Sequence, residues 1–235
     1  MCKIGIYLVC DYPNSEKFLD AVAVCEKYGI DFLEIGFPFS DPVADGPVIE
    51  KAVLDVLKRE NSNDFLQSLK KARDIFSKKL YVMTYSNVIF GYGTEEFAKK
   101  SEFIDGIIIA DLPFIESERF AKIFDKYKIN TIRFVTPETD FSDIDKIKRA
   151  AKDFIYFVST RGTTGGKFSI DAETLQKIEY TKNEFDHDVI LGFGIKNSND
   201  IKTACRYADG VVIGTKAVEA LEQNGFERFI SSLKQ

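Results

Sequence analysis

Short apolar runs alternate with longer amphipathic ones along the chain. Residues 4–9, 32–35, 80–84, 106–110, 131–135, 154–158, 189–191 and 210–213 are short and rich in β-branched and aromatic side chains, which predicts strands. Stretches with helical spacing stand between them. In the first, Phe18, Val22 and Cys25 share one face and Gly29 marks the end. The pattern predicts further helices over 48–58, 64–76, 95–100, 116–127, 142–151, 171–181, 198–206 and 217–233. The strands carry apolar residues on both faces, as in a parallel sheet covered by helices.

About eight strand and helix alternations are the count for a closed parallel barrel. The expected fold is therefore α/β, a (β/α)8 TIM barrel forming one domain over residues 1–235. A doubly wound open sheet is the alternative, and two features go against it. The turn after the first strand lacks a Gly-x-Gly-x-x-Gly fingerprint, and polar residues follow strand after strand instead of gathering at one switch point.

Composition narrows the function. A length of 235 residues with 45% hydrophobic content is enough for one sizeable core. A net charge of -5 is the wrong sign for tracking nucleic-acid phosphates. Cysteines at 2, 10, 25 and 205 and the single His187 have no zinc-site spacing, so the expectation is a reduced, cytoplasmic protein without metal. No run of about 18 apolar residues and no signal-peptide pattern is present.

Chemistry concentrates at strand ends, where barrel enzymes carry it. Glu34 lies within the apolar strand Phe32-Leu33-Glu34-Ile35. A carboxylate there either pairs with a lysine or backbone donor, or its pKa rises and it becomes a general acid and base. A long loop follows with Asp41 and Asp45, and Pro47 opens the next helix. Later loops hold Tyr85 and Asn87, Asp111, and a glycine-rich run over 159–166. Gly192, Gly194 and Gly214 after the last two strands suit a phosphate, since glycines let backbone N–H groups approach an anion and a following helix points its positive end at it. Each glycine alone would more often be an ordinary tight turn between strand and helix.

The run Leu33-Glu-Ile-Gly-Phe-Pro-Phe-Ser-Asp-Pro-Val-Ala-Asp-Gly46 closely resembles the signature of the tryptophan synthase alpha chain family. Tyr85-Ser-Asn-Val-Ile-Phe, Ala110-Asp-Leu-Pro, Gly162-Thr-Thr-Gly165, Gly192-Phe-Gly-Ile and Ile213-Gly-Thr match it in the same order, from Tyr7 to about Val218. The resemblance implies retro-aldol cleavage of indole-3-glycerol phosphate to indole and glyceraldehyde 3-phosphate. Glu34 would be the shuttling acid and base, Asp45, better solvated than Glu34, would accept the indole N–H and stay ionised, and Tyr85 would help at the glycerol end. Gly165, Gly194, Gly214 and Thr215 would hold the phosphate. Tyr7, Met83, Ile108, Tyr156, Phe193 and Val212 would line the indole slot, and Thr164 would close against Asp45. No cofactor is implied for this chain; pyridoxal phosphate belongs to a partner beta chain, expected in an alpha2-beta2 complex and touching the loop over 37–47.

Other aldolase chemistries fit less well. No lysine stands at the inner end of a strand for a Schiff base, Lys216 being the nearest rival, and one histidine cannot furnish a metal site. The chain also departs from the family pattern. It lacks most of the usual leading helix, the common Gly-Asp-Pro reads Asp11-Tyr12-Pro13, and Arg161 precedes the loop glycine. A stand-alone indole-releasing enzyme, a sugar-phosphate isomerase or epimerase, and a non-catalytic regulatory subunit are the competing functions.

Overall fold

The computed structural model of the chain describes residues 2–59, 62–158, 170–192 and 194–234, with 62–64 by backbone only. Strands β1 (Lys3–Val9), β2 (Phe32–Gly36), β3 (Lys79–Thr84), β4 (Gly106–Ile109), β5 (Asn130–Thr131), β6 (Arg133–Val135), β7 (Ile155–Val158), β8 (Val189–Gly192) and β9 (Gly210–Ile213) form one sheet. All of its pairings are parallel, in the order β5-β4-β3-β2-β1-β9-β8-β7-β6. The two ends of that order, β5 and β6, are successive segments of one stretch interrupted at Ile132. The nine segments therefore make the expected barrel, with β5 and β6 sharing one stave.

Helices α1 (Ser15–Lys27), α2 (Pro47–Leu57), α3 (Ser62–Ile75), α4 (Ser86–Tyr92), α5 (Thr94–Lys100), α6 (Phe114–Phe124), α7 (Phe141–Ala150), α8 (Ala172–Lys182), α9 (Ser198–Ala204), α10 (Thr215–Glu222) and α11 (Phe226–Leu233) connect and surround the strands. Local signals account for several boundaries. Asn14 Oδ1 accepts from Lys17 N at 2.9 Å to start α1, whose Phe18, Ala21, Val22 and Cys25 are buried. Gly29, at φ 65°, ends it.

Two elements differ from the sequence expectation. Helix α4 follows β3 where a loop was expected, because the Asp111 carboxylate accepts from Ser86 N at 2.8 Å and Ser86 Oγ at 2.7 Å. This contact spans from β4 and has no local signature. The expected last helix over 217–233 is two, since Asn224 at φ 55° breaks it and Gly225 N bonds back to Ala220 O at 2.8 Å.

Inside the barrel, Phe32, Tyr81 and Phe154 form an aromatic plug, with ring centroids 5.0 to 5.8 Å apart. Gly5 makes room for it, for a Cβ there would stand 2.2 Å from the Phe32 ring. Glu34 is two residues farther along β2, above this apolar floor.

The cysteine expectation is corrected in part. Cys2 and Cys205 form a disulfide with Cα atoms 5.7 Å apart, while Cys10 and Cys25 are buried thiols outside it. The pairing was hidden by its 203-residue separation: β1 lies in register beside β9, Lys3 opposite Gly210, and brings the start of the chain to the end of α9. Among the described residues no helix is long and apolar enough to cross a membrane, and no cluster of His, Cys, Asp and Glu could hold a metal.

Candidate active site

Strand β2 carries Glu34 into the barrel at 1% exposure, in register with Tyr7 of β1. The Tyr156 hydroxyl donates to its carboxyl group, and Oε2 has no hydrogen-bond partner. Burial dominates its titration. Desolvation pushes the pKa up to about 8; the Tyr156 hydrogen bond opposes the shift and the Asp45 charge adds to it. The same burial raises Tyr7 and Tyr156, so both phenols stay protonated.

Glycines allow this arrangement. A Cβ at Gly36 would stand 2.1 Å from the Tyr7 hydroxyl oxygen, and one at Gly192 would stand 2.0 Å from the Tyr156 ring. The tyrosines thus lie across the backbones of neighbouring strands. Of the glycines after strands, Gly192 is required for ring packing, which its turn context in the sequence did not suggest.

Asp45 comes from the loop between β2 and α2. Tyr85 holds it: the phenol donates to Asp45 Oδ2 at 3.0 Å and accepts from Ala44 N at 3.1 Å. The ring of Phe39 lies 5.2 Å from that of Tyr85. Asp45 is half-buried, and its pKa rises from the ordinary carboxylate value through desolvation, with Tyr85 holding it back and Glu50 adding to the rise. It is less buried than the strand-bound Glu34.

Glu34 and Asp45 share a cavity of about 540 Å³ with Tyr7, Met83, Tyr156, Val212, Gly194, Gly214 and Thr215. Tyr85 stands behind Asp45, outside that lining, and Ile108 is fully buried beside Met83 in the β3–β4 register. Phe193, Thr164 and Gly165 lie outside the described residues. Val48 and Ile49 also line the cavity, as do Ile195, Lys196, Lys216 and Glu219. The first two follow Asp45 by one helical turn, a spacing that could have marked them.

The cavity joins unlike chemistries. Helix α10 starts at Gly214, which offers no side-chain cap, and Gly194 takes φ 83°. These backbone positions suit an anion. Lys216 forms an ion pair with Glu219 at 2.5 Å. Apolar walls, backbone positions suited to an anion and two carboxylates therefore meet in one space.

Sequence comparison agrees with this geometry. A sequence model of the tryptophan synthase alpha chain family matches residues 4–233. The tryptophan synthase alpha chain of Christiangramia forsetii is 34% identical over 237 residues, covering 99% of this chain and 93% of that one. That of Maridesulfovibrio salexigens is 36% identical over 225 residues, covering 94% and 88%. Among solved structures, tryptophan synthase subunit alpha from Campylobacter jejuni superposes with a TM-score of 0.88 at 30% identity, over 99% of this chain and 95% of that one. A chain from the tryptophan synthase a2b2 complex of Pyrococcus furiosus superposes with a TM-score of 0.89 at 27% identity, over 100% and 99%. With a match this long in sequence and a barrel that superposes end to end, the chain belongs to the tryptophan synthase alpha chain family.

Proposed function

We propose that Glu34 and Asp45 perform, in this chain, the family's reaction: cleavage of indole-3-glycerol phosphate to indole and glyceraldehyde 3-phosphate. This is a carbon–carbon lyase step of L-tryptophan biosynthesis. The observation that carries the assignment is Glu34, buried, with Oε2 unpaired and its pKa at about 8. At neutral pH it holds its proton at the wall of the cavity.

Glu34 delivers that proton to indole C3, and Asp45 accepts the ring N–H, stabilising the positive charge on the nitrogen. The Glu34 carboxylate then takes the proton of the hydroxyl on the adjoining glycerol carbon. The bond from C3 to that carbon breaks, its electrons return to the ring, and the aldehyde forms with Glu34 protonated again. Tyr156 orients Glu34 and Tyr85 orients Asp45, which keeps two carboxylates in different roles.

The phosphate is assigned to Gly194, Gly214 and Thr215, with Gly165 on the resemblance alone. The indole lies against Tyr7, Met83, Tyr156 and Val212, with Phe193 assigned by resemblance and Ile108 behind Met83; Thr164 is the assigned closing residue. The whole chain serves as one catalytic domain in the cytoplasm and needs no cofactor of its own. A pyridoxal-phosphate-dependent beta chain is the partner, in an alpha2-beta2 complex. Exposed Val43 (82%) and Phe90 (50%), beyond the ends of β2 and β3, offer apolar surface for it.

The test is indole release from indole-3-glycerol phosphate by the purified chain, with and without a beta chain. Release that rises with the partner and collapses in Glu34→Gln is expected. No indole from the unaltered chain under either condition overturns the lyase assignment.

A further inference from the structure

Strand β2 turns Phe32, Glu34 and position 36 towards the barrel interior, since side chains two residues apart share a face. Glycine at 36 leaves the last of these places without a side chain. The Tyr7 hydroxyl fills it, for a Cβ at Gly36 would stand 2.1 Å from that oxygen and 2.7 Å from the ring carbon that bears it. Tyr7 itself is opposite Glu34 in the β1–β2 register, and Val9 is opposite Gly36. The ring therefore leans along β2 towards the barrel mouth. Its hydroxyl lies one side-chain layer above Glu34, about 6.6 Å farther in strand rise.

The two tyrosines beside Glu34 use their hydroxyls differently. Tyr156 donates to the Glu34 carboxyl group. Tyr7 makes no side-chain hydrogen bond among the described residues, although it is only 4% exposed and lines the cavity with Glu34 and Asp45. A packed interior seldom leaves a hydroxyl unused. Burial keeps this phenol protonated, and the nearby charges of Asp45 and Glu34 act in the same sense. It is a neutral donor standing free beside the acid–base group.

The indole ring offers it no acceptor, since the ring N–H is itself a donor and is assigned to Asp45. The glycerol chain does. Glu34 takes the proton of the hydroxyl on the carbon bound to C3, so that oxygen lies within hydrogen-bond reach of Glu34. A donor one layer above Glu34 meets the same oxygen. We propose that the Tyr7 hydroxyl donates a hydrogen bond to the oxygen on the reacting glycerol carbon, which makes Tyr7 a further catalytic residue. The role rests on the lyase reading of the cavity. As Glu34 removes the hydroxyl proton, negative charge grows on that oxygen before the carbon–carbon bond breaks and the aldehyde forms. Tyr7 stabilises this charge and keeps its own proton throughout. In the reverse direction the same bond polarises the aldehyde for attack by indole C3. Because the bond is strongest where the charge is greatest, it acts on turnover more than on binding.

Tyr7→Phe tests the role, because it keeps the ring and removes a hydroxyl without a protein partner, so the fold is retained. Steady-state indole release is measured for both chains with the beta chain present, together with inhibition by indole-3-propanol phosphate, which lacks both glycerol hydroxyls. The variant is expected to lose about 10- to 100-fold in kcat, with KM changed less than about threefold and the inhibition constant of the propanol phosphate unchanged. Equal kcat in the two chains overturns the role of Tyr7 and leaves the lyase reading standing. Weaker inhibition of Tyr7→Phe by the propanol phosphate, matching the loss of turnover, assigns the effect to the shape of the slot and overturns the role as well. No indole from the unaltered chain overturns both.

Discussion

Replacing Glu34 by Gln separates stability from activity in a way the structure specifies. The folded carboxyl titrates at about 8 and the ordinary value is 4.5, with burial as the main cause. Between those values the folded chain holds a proton that the unfolded chain has lost. Stability therefore falls as pH rises through this window, at about 1.4 kcal/mol per pH unit. From pH 6 to pH 9 the loss integrates to about 3 kcal/mol, most of it below pH 8.

Gln preserves the shape and cannot ionise, so this component of the pH dependence disappears. Urea unfolding of both proteins at pH 6, 7.5 and 9 measures it, because every other titrating group is common to the two and cancels. The Gln variant is expected to gain on the parent by about 3 kcal/mol over that range. It is also expected to lose about 10²- to 10⁴-fold or more in indole release, the usual worth of one acid–base group. Parallel stability curves would show that Glu34 is not held protonated in the fold, and the mechanism would lose its acid.

Three further outcomes follow from named contacts. Tyr156→Phe removes a donor to the Glu34 carboxylate, so the Glu34 pKa rises further and the alkaline limb of the pH–rate profile moves up; Tyr85→Phe removes the donor to Asp45, so the acid limb moves up. Gly192→Ala drives a methyl group into the Tyr156 ring, with an expected cost of about 1–3 kcal/mol in urea unfolding and slower indole release. Dithiothreitol, or Cys2→Ser, opens the link between the start of β1 and the end of α9. It should lower stability by about 2–5 kcal/mol, read as a lower Tm, without changing the kinetics of indole release.

Much of the architecture was legible because it is local. Strands with apolar residues on both faces, separated by amphipathic stretches, leave few arrangements other than a barrel, and the described elements follow that alternation. Glu34 stood out for the same reason, as a carboxylate in a strand that has no polar face. The glycines at 194 and 214 marked backbone that approaches the cavity, since their placement after strands is itself a sequence feature.

Tertiary structure decided whatever depends on residues distant in the chain. The break at Ile132 closes the barrel by giving β5 to β4 and β6 to β7, which no single stretch specifies. Tyr85 reaches back 40 residues to hold Asp45, so the state of that carboxylate follows from a contact across β2 and β3. Cys2 meets Cys205 only because β1 lies beside β9. Arg133 reads in the sequence as one charged residue in an apolar run; enclosure by α6 and α7 turns it into a buried cation with an unpaired N–H. Periodicity and residue type express local preference, while desolvation and pairing depend on which distant segments exclude water from a group, and the closed barrel determines that.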